Sequence, residues 1–286
     1  MSLAEVVPLV LKASILAIVF SLGLAARPAD LISVLRRPGL LARSLLAMLV
    51  IMPLLAVILV RVMNLHHAVA VMLVALSLAP VPPILPRKQA KAGGDASYSI
   101  GLLAAVALVA IVWIPIALEI DERLFSIPLG IPPAKVAAVV ATTILLPLVA
   151  GVVVAVLAPR LAARFGPLLS KFGFALLMLA ALVILVSQWR AVAGLFAAGA
   201  PAFAVFVVVG LLVGHLLGGP APDDRTVLAL ASASRHPGVA MTIAHINFPQ
   251  EQAIAAAALL FLLINILISI PYVAWRKKSG AAASIP

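Results

Sequence analysis

The sequence predicts an all-helical, polytopic membrane protein, and three observations carry that prediction. Hydrophobic residues make up 65% of the 286-residue chain and charged residues only 10%, with a mean hydropathy of +1.27. A soluble domain of this size needs far more charge to cover its surface. The apolar residues come in runs of about 20, the length that carries a helix across about 30 Å of hydrocarbon. The basic residues fall in the short links between those runs. A formal net charge of +11 therefore reports topology, and no nucleic-acid partner is expected. The chain has no cysteine, which excludes disulfides, thiolate metal sites and cysteine nucleophiles.

Nine runs qualify as spans, at about residues 5–26, 39–61, 66–85, 96–119, 132–158, 168–189, 197–218, 225–248 and 251–275. The first, with Leu9–Ala26, is too long for a signal-peptide core and has no small-residue cleavage pattern, so it reads as a span. Pro80–Asp95 is too rich in proline and charge for continuous helix, so the third span breaks near its inner end around Pro82, Pro83 and Pro86. The eighth is interrupted by Arg235-His236-Pro237-Gly238 within Ser232–Ala240. A charge and a broken helix persist at that depth only where protein or an aqueous cavity surrounds them.

Orientation follows from the cations. Arg27, Arg36, Arg37, Arg87, Lys88, Lys91, Arg160, Arg164, Lys171, Arg225, Arg276, Lys277 and Lys278 fall on one side. The other receives Arg61, Arg123, Lys135 and Arg190 with the acidic Glu119, Asp121 and Glu122. This asymmetry predicts the N-terminus outside and the C-terminus inside a plasma membrane of the bacterial inner-membrane kind. The two interrupted spans occupy corresponding places in inverted halves, about 1–125 and 126–286. Such pairs mark the midplane site of secondary transporters.

The same residues resemble the bile acid:sodium symporter family over nearly all of the chain. Ser21-Leu22-Gly23-Leu24 through Pro28-Ala29-Asp30-Leu31 and Arg37-Pro38 looks like the family's entry signature, and Ile51-Met52-Pro53 like its next helix. Ala79-Pro80, Leu85-Pro86 and Gly94-Asp95 follow its first crossing motif, and Ala231 with Arg235–Ala240 its second. Asn265 stands where family members often carry an asparagine. The resemblance implies a panel domain (spans 5–26, 132–158 and 168–189), a core domain of the remaining spans, and alternating access between them. It also implies ten helices, of which this chain looks as if it lacks the first.

The departures matter more. The resemblance implies sodium ligands at Ala231, Arg235, Leu85, Pro86, Leu103, Met48 and Ser99, and only Ser99 offers a side-chain oxygen of the kind a hard cation prefers. The nine carboxylates all lie in loops or at span ends, whereas the deep ionisable groups are Arg235, His236 and Lys12. No cofactor or metal is expected, and sodium binding is expected not to survive. His66-His67 is too little for a metal site, and no nucleophile–base arrangement appears, so an enzyme is not expected.

Candidate substrate-binding residues are Arg235, His236, Ser232, Ser234, Lys12, Arg87, Lys88 and Asn265. Arg235 reads either as a donor to carbonyls freed by Pro237, standing in for a bound cation, or as a direct contact to an anion. His236 reads as a proton-coupling group or as a neutral partner of the opposite break. Arg87 and Lys88 read as mouth residues or topology anchors, and Lys12 as snorkelling or crevice-lining. Pro82, Pro83, Pro86, Pro237 and Gly238 are expected to set the crossing geometry. The expected function is secondary transport of a small organic anion without sodium, in the lipid bilayer. The alternatives are a sodium-coupled symporter of bile-acid-like anions and a ligand-binding sensor that moves nothing. The sequence leaves the oligomeric state open.

Overall fold

A computed structural model describes residues 3–125 and 130–283, and all regular structure among them is helical. The expected boundary between the halves, at 126, and the side chain of Glu5 lie outside what is described. Five helices are long and apolar enough to cross a bilayer: Pro38–Val62, Ala96–Phe125, Ala134–Leu157, Pro159–Leu217 and Ile254–Ser279. The protein is an all-helical polytopic membrane protein.

Helix α1 (Leu3–Ala25) is followed by the short α2 (Pro28–Leu31) and a 3-10 turn (Ser33–Arg36). Pro28 and Pro38 each open a helix, where a missing N–H is no loss. The second span is α3 (Pro38–Leu45), a π-turn (Leu46–Ile51) and α4 (Met52–Val62). In that turn the Met52 amide reaches back five residues to the Ala47 carbonyl. The next amide in the same register would serve Met48, but residue 53 is proline and has none. The Met48 carbonyl is thus left open to another donor.

The stretch expected as the third span is α5 (His67–Leu78), an irregular stretch at 79–84, and α6 (Leu85–Lys91). Then come α7 (Ala96–Phe125), α8 (Pro133–Val140), a second π-turn (Ala141–Leu145) and α9 (Leu146–Leu157). The stretch expected as the eighth span is α11 (Pro222–Ala233), a break at 234–236, and α12 (Pro237–Asn247), and α13 (Ile254–Ala283) closes the fold.

Between them, α10 (Pro159–Leu217) covers both expected spans 168–189 and 197–218 as one helix of 59 residues. Straight, it would separate Gly166 from Gly218 by about 78 Å. Contacts forbid this. Gly166 touches Leu24, Ser21 on the same α1 meets Arg87, Gln89 of α6 bonds to Val227, and Gly218 lies against Arg225. That path reaches no more than about 50 Å at full side-chain extension. Helix α10 therefore doubles back between Gly173, packed on α1, and Gly210, packed on Ala233, a stretch that holds Gly194, Gly199 and Pro201. The sequence expects a loop there. The stretch is instead helical, with alanine favouring helix while Pro201 leaves the Ala197 carbonyl without its usual donor and eases the bend.

Glycine sets the closest approaches. A Cβ on Gly23 would lie 2.2 Å from the Leu148 carbonyl oxygen, and one on Gly151 would lie 2.3 Å from that of Phe20. Here α1 and α9 meet backbone to backbone.

Candidate functional site

The two broken spans cross. Ala79 and Ser234 both leave their helices in extended conformation (ψ 146° and 133°). The His236 N–H donates to the Pro80 carbonyl at 2.8 Å, joining the two breaks directly. Pro82 and Pro83 lie buried in the first break, and Pro86 sits in the first turn of α6. Pro237 and Gly238 open α12.

Arg235 lies in the second break with 1% of its surface exposed. Its Nη2 donates to the Met48 carbonyl at 3.0 Å, the acceptor that the π-turn and Pro53 leave open. Nε and Nη1 have no protein partner. Among the described residues the ion pairs are Arg37–Asp224, His67–Glu251 and Arg123–Glu119, so Arg235 is paired with no carboxylate. A sealed guanidinium with open donors is costly, and it persists only where the surroundings hold it.

The carbonyl that Pro237 leaves open is that of Ala233, four residues earlier. It accepts from Asn265 Nδ2 at 2.8 Å, and Asn265 Oδ1 accepts from Ser234 Oγ at 3.3 Å. The expectation that Arg235 donates to a carbonyl freed by Pro237 is thus corrected: α13 supplies that donor, and Arg235 turns to the second span.

His236 Nδ1 accepts from the amides of Gly238 (3.2 Å) and Val239 (3.4 Å). A nitrogen that accepts from two amides carries no proton, so the ring is neutral with its proton on Nε2. The imidazole caps α12 and satisfies the first amides of its N-terminus. A Cβ on Gly238 would come within 3.1 Å of that ring, so glycine makes room for the cap. Nε2 of His236 and Oγ of Ser232, both buried, have no partner.

The remaining candidates spread out. Arg87 Nη2 donates to Ser21 Oγ at 3.3 Å, linking α6 to α1, and Lys88 is half-buried beside it. Lys12 is exposed on α1. Sequence reasoning missed Ser21 as a partner for Arg87 and the Met48 carbonyl as a partner for Arg235. Pro53 inside an apolar run was the one available sign of the second.

The sodium positions implied by the resemblance do not fit a cation. Met48, Leu85, Pro86, Leu103 and Ala231 are buried and bring no side-chain oxygen, and Ser99 Oγ donates to the Asp95 carbonyl at 2.7 Å. Arg235 and Met48 do come together, but as a guanidinium on a carbonyl. Among the described residues no three of His, Asp or Glu cluster as a metal site would need.

No curated protein matches the chain. A family model described as the sodium bile acid symporter family matches residues 13–195, well over half of the chain, and ends before the second break. That match spans the first broken helix and the glycine-packed contact of α1 with α9. The chain therefore belongs to the sodium bile acid symporter family, whose members are membrane transporters and not enzymes.

Proposed function

We propose that this transporter carries small organic anions by alternating access without binding sodium, using Arg235 as its fixed positive charge. The carrying observation is the buried guanidinium at the crossing, held through one nitrogen with two still open. A carboxylate approaching those donors would satisfy them and neutralise the charge. Ser232 Oγ and His236 Nε2, one to three residues away, add two more open groups. Ser234 and Asn265 hold the backbone there. Because Arg235 is sealed, a substrate reaches it only if packed elements move apart.

The moving parts in this reading are a panel (α1, α8–α9 and the first arm of α10) and a core formed by the rest. Packing of α1 on α9 and α10, and of α11 and α13 on the second arm of α10, supports that division. The reading also includes inverted halves, about 1–125 and 126–286, and an N-out, C-in orientation. The loss of oxygen ligands supports the absence of sodium coupling.

Uptake into proteoliposomes tests the proposal, with labelled anions from lactate to taurocholate and either sodium or choline outside. Equal uptake in the two salts is expected. A strict sodium requirement would overturn the sodium-independent reading, and binding without counterflow would turn the protein into a sensor.

A further inference from the structure

We infer that the ends of α1 and α10 form a binding site for an anionic phospholipid, separate from the crossing. A cleft of about 300 Å³ lies between these helices, lined by Phe20, Leu24, Phe165, Leu168, Leu169 and Phe172. The large side chains there are open to the hydrocarbon: Phe165, Leu168 and Phe172 are each at least half exposed. Gly166 faces Leu24 at one end of the groove, where a Cβ would make an ordinary contact 3.5 Å from the Leu24 Cβ. From Phe165 to Phe172 the groove runs about 10 Å along α10, two-thirds of one leaflet's hydrocarbon.

What covers this groove is told by charge. Arg160, Arg164 and Lys171 are spaced four and seven residues apart, so they share one face of α10 beside the groove. Arg27 follows the end of α1. No aspartate or glutamate occurs between residues 123 and 222, and Arg160, Arg164 and Lys171 enter no ion pair among the described residues. The carboxylate nearest to Arg27 in sequence, Asp30, is taken by the Arg27 amide and Ser97 Oγ. Arg160 and Arg164 lie beyond the groove toward the headgroups, and Lys171 stands within snorkelling reach of them. An acyl chain in the groove would place a headgroup phosphate among cations that lack a counter-charge. Basic pockets beside spanning helices recognise anionic lipids in this way.

The test is lipid retention by the purified full-length protein, measured by native mass spectrometry after exchange into phosphatidylglycerol or phosphatidylcholine micelles. Phosphatidylglycerol is expected to be held on the order of tenfold more tightly. A triple variant R160Q/R164Q/K171Q is expected to lose that preference, and R160K/R164K, which keeps the charge, to retain it. Leu168→Trp, which fills the groove, is expected to lower retention of phosphatidylglycerol while leaving the protein monodisperse. Equal retention of the two lipids by the wild type, or an unchanged preference in the triple variant, would overturn the inference.

Discussion

The contact of α1 with α9 and the crossing of the two broken spans solve opposite problems. At the first, Gly23 and Gly151 bring two backbones together with no polar side chain involved. At the second, extended backbone and a guanidinium are held by single hydrogen bonds, and Ser232, Arg235 and His236 keep open donors. A glycine contact has one arrangement and no reserve, because any added atom strikes a carbonyl. The crossing carries unmet hydrogen bonding that a ligand could satisfy. The difference separates scaffold from site: close packing resists change, and unsatisfied polarity invites a partner.

The largest expected effect breaks the first region. Gly151→Leu forces a side chain into the Phe20 carbonyl and is expected to cost more than the about 1–3 kcal/mol of ordinary overpacking. Size-exclusion chromatography should show loss of the monodisperse protein, and a variant that behaves like wild type would show that α1 and α9 can separate freely. Arg235→Ala should do the reverse. It removes an uncompensated buried charge, which offsets the Met48 carbonyl it leaves open, so the melting temperature should change by only a few degrees. Anion uptake should fall about 30-fold or more. Unimpaired uptake would take Arg235 out of the mechanism.

Asn265→Ala tests whether the crossing also has a structural share. It strips the Ala233 carbonyl of its donor inside the protein, a loss of about 1–3 kcal/mol, readable as a lower melting temperature. The smallest effect lies outside both regions. In the link between α12 and α13, His67 Nδ1 meets Glu251 Oε2 at 2.9 Å, and this bond, with the Ala253 amide, holds the Glu251 carboxyl below its ordinary value. A depressed carboxylate stabilises the fold above its unfolded pKa, near 4.3. That stabilisation fades as pH falls through the lower folded value. Because His67 is largely exposed, solvent screens the pair and the effect should be slight. Melting curves of wild type and Glu251→Gln should differ at neutral pH and converge in acid. A constant difference would show that the bond does not depend on the charge.

Most of the helices were legible because lipid allows few alternatives: apolar runs of the right length become spans. Both breaks were legible too, since proline beside charge leaves a span few other conformations. The reversal between spans 168–189 and 197–218 was legible as two runs, but the helical link that joins them was not, because the sequence there reads as a loop. The partners of Arg235 were only half legible. Its depth follows from sequence, but its acceptor belongs to a helix 187 residues away and depends on a backbone register that side chains do not announce. His236 shows the same limit: a histidine before Pro-Gly reads equally as a proton-coupling group or a neutral partner, and the two amides on Nδ1 belong to a cap that the sequence does not announce.

The π-turn at Leu46–Ile51 has a consequence for how the second span should be mapped. Each residue of an α-helix advances by about 100°, so one extra residue in a turn rotates everything after it by that amount. A helical wheel drawn unbroken from Pro38 to Val62 is therefore out of phase beyond Ile51 and assigns the wrong face to Leu54, Leu55 and Ile58. Cysteine-accessibility scanning along this span should show its periodicity slip by one residue at the turn. Deleting residue 46 or 47 should restore a single phase and bring the Met52 amide into register to close the Met48 carbonyl that Arg235 now occupies.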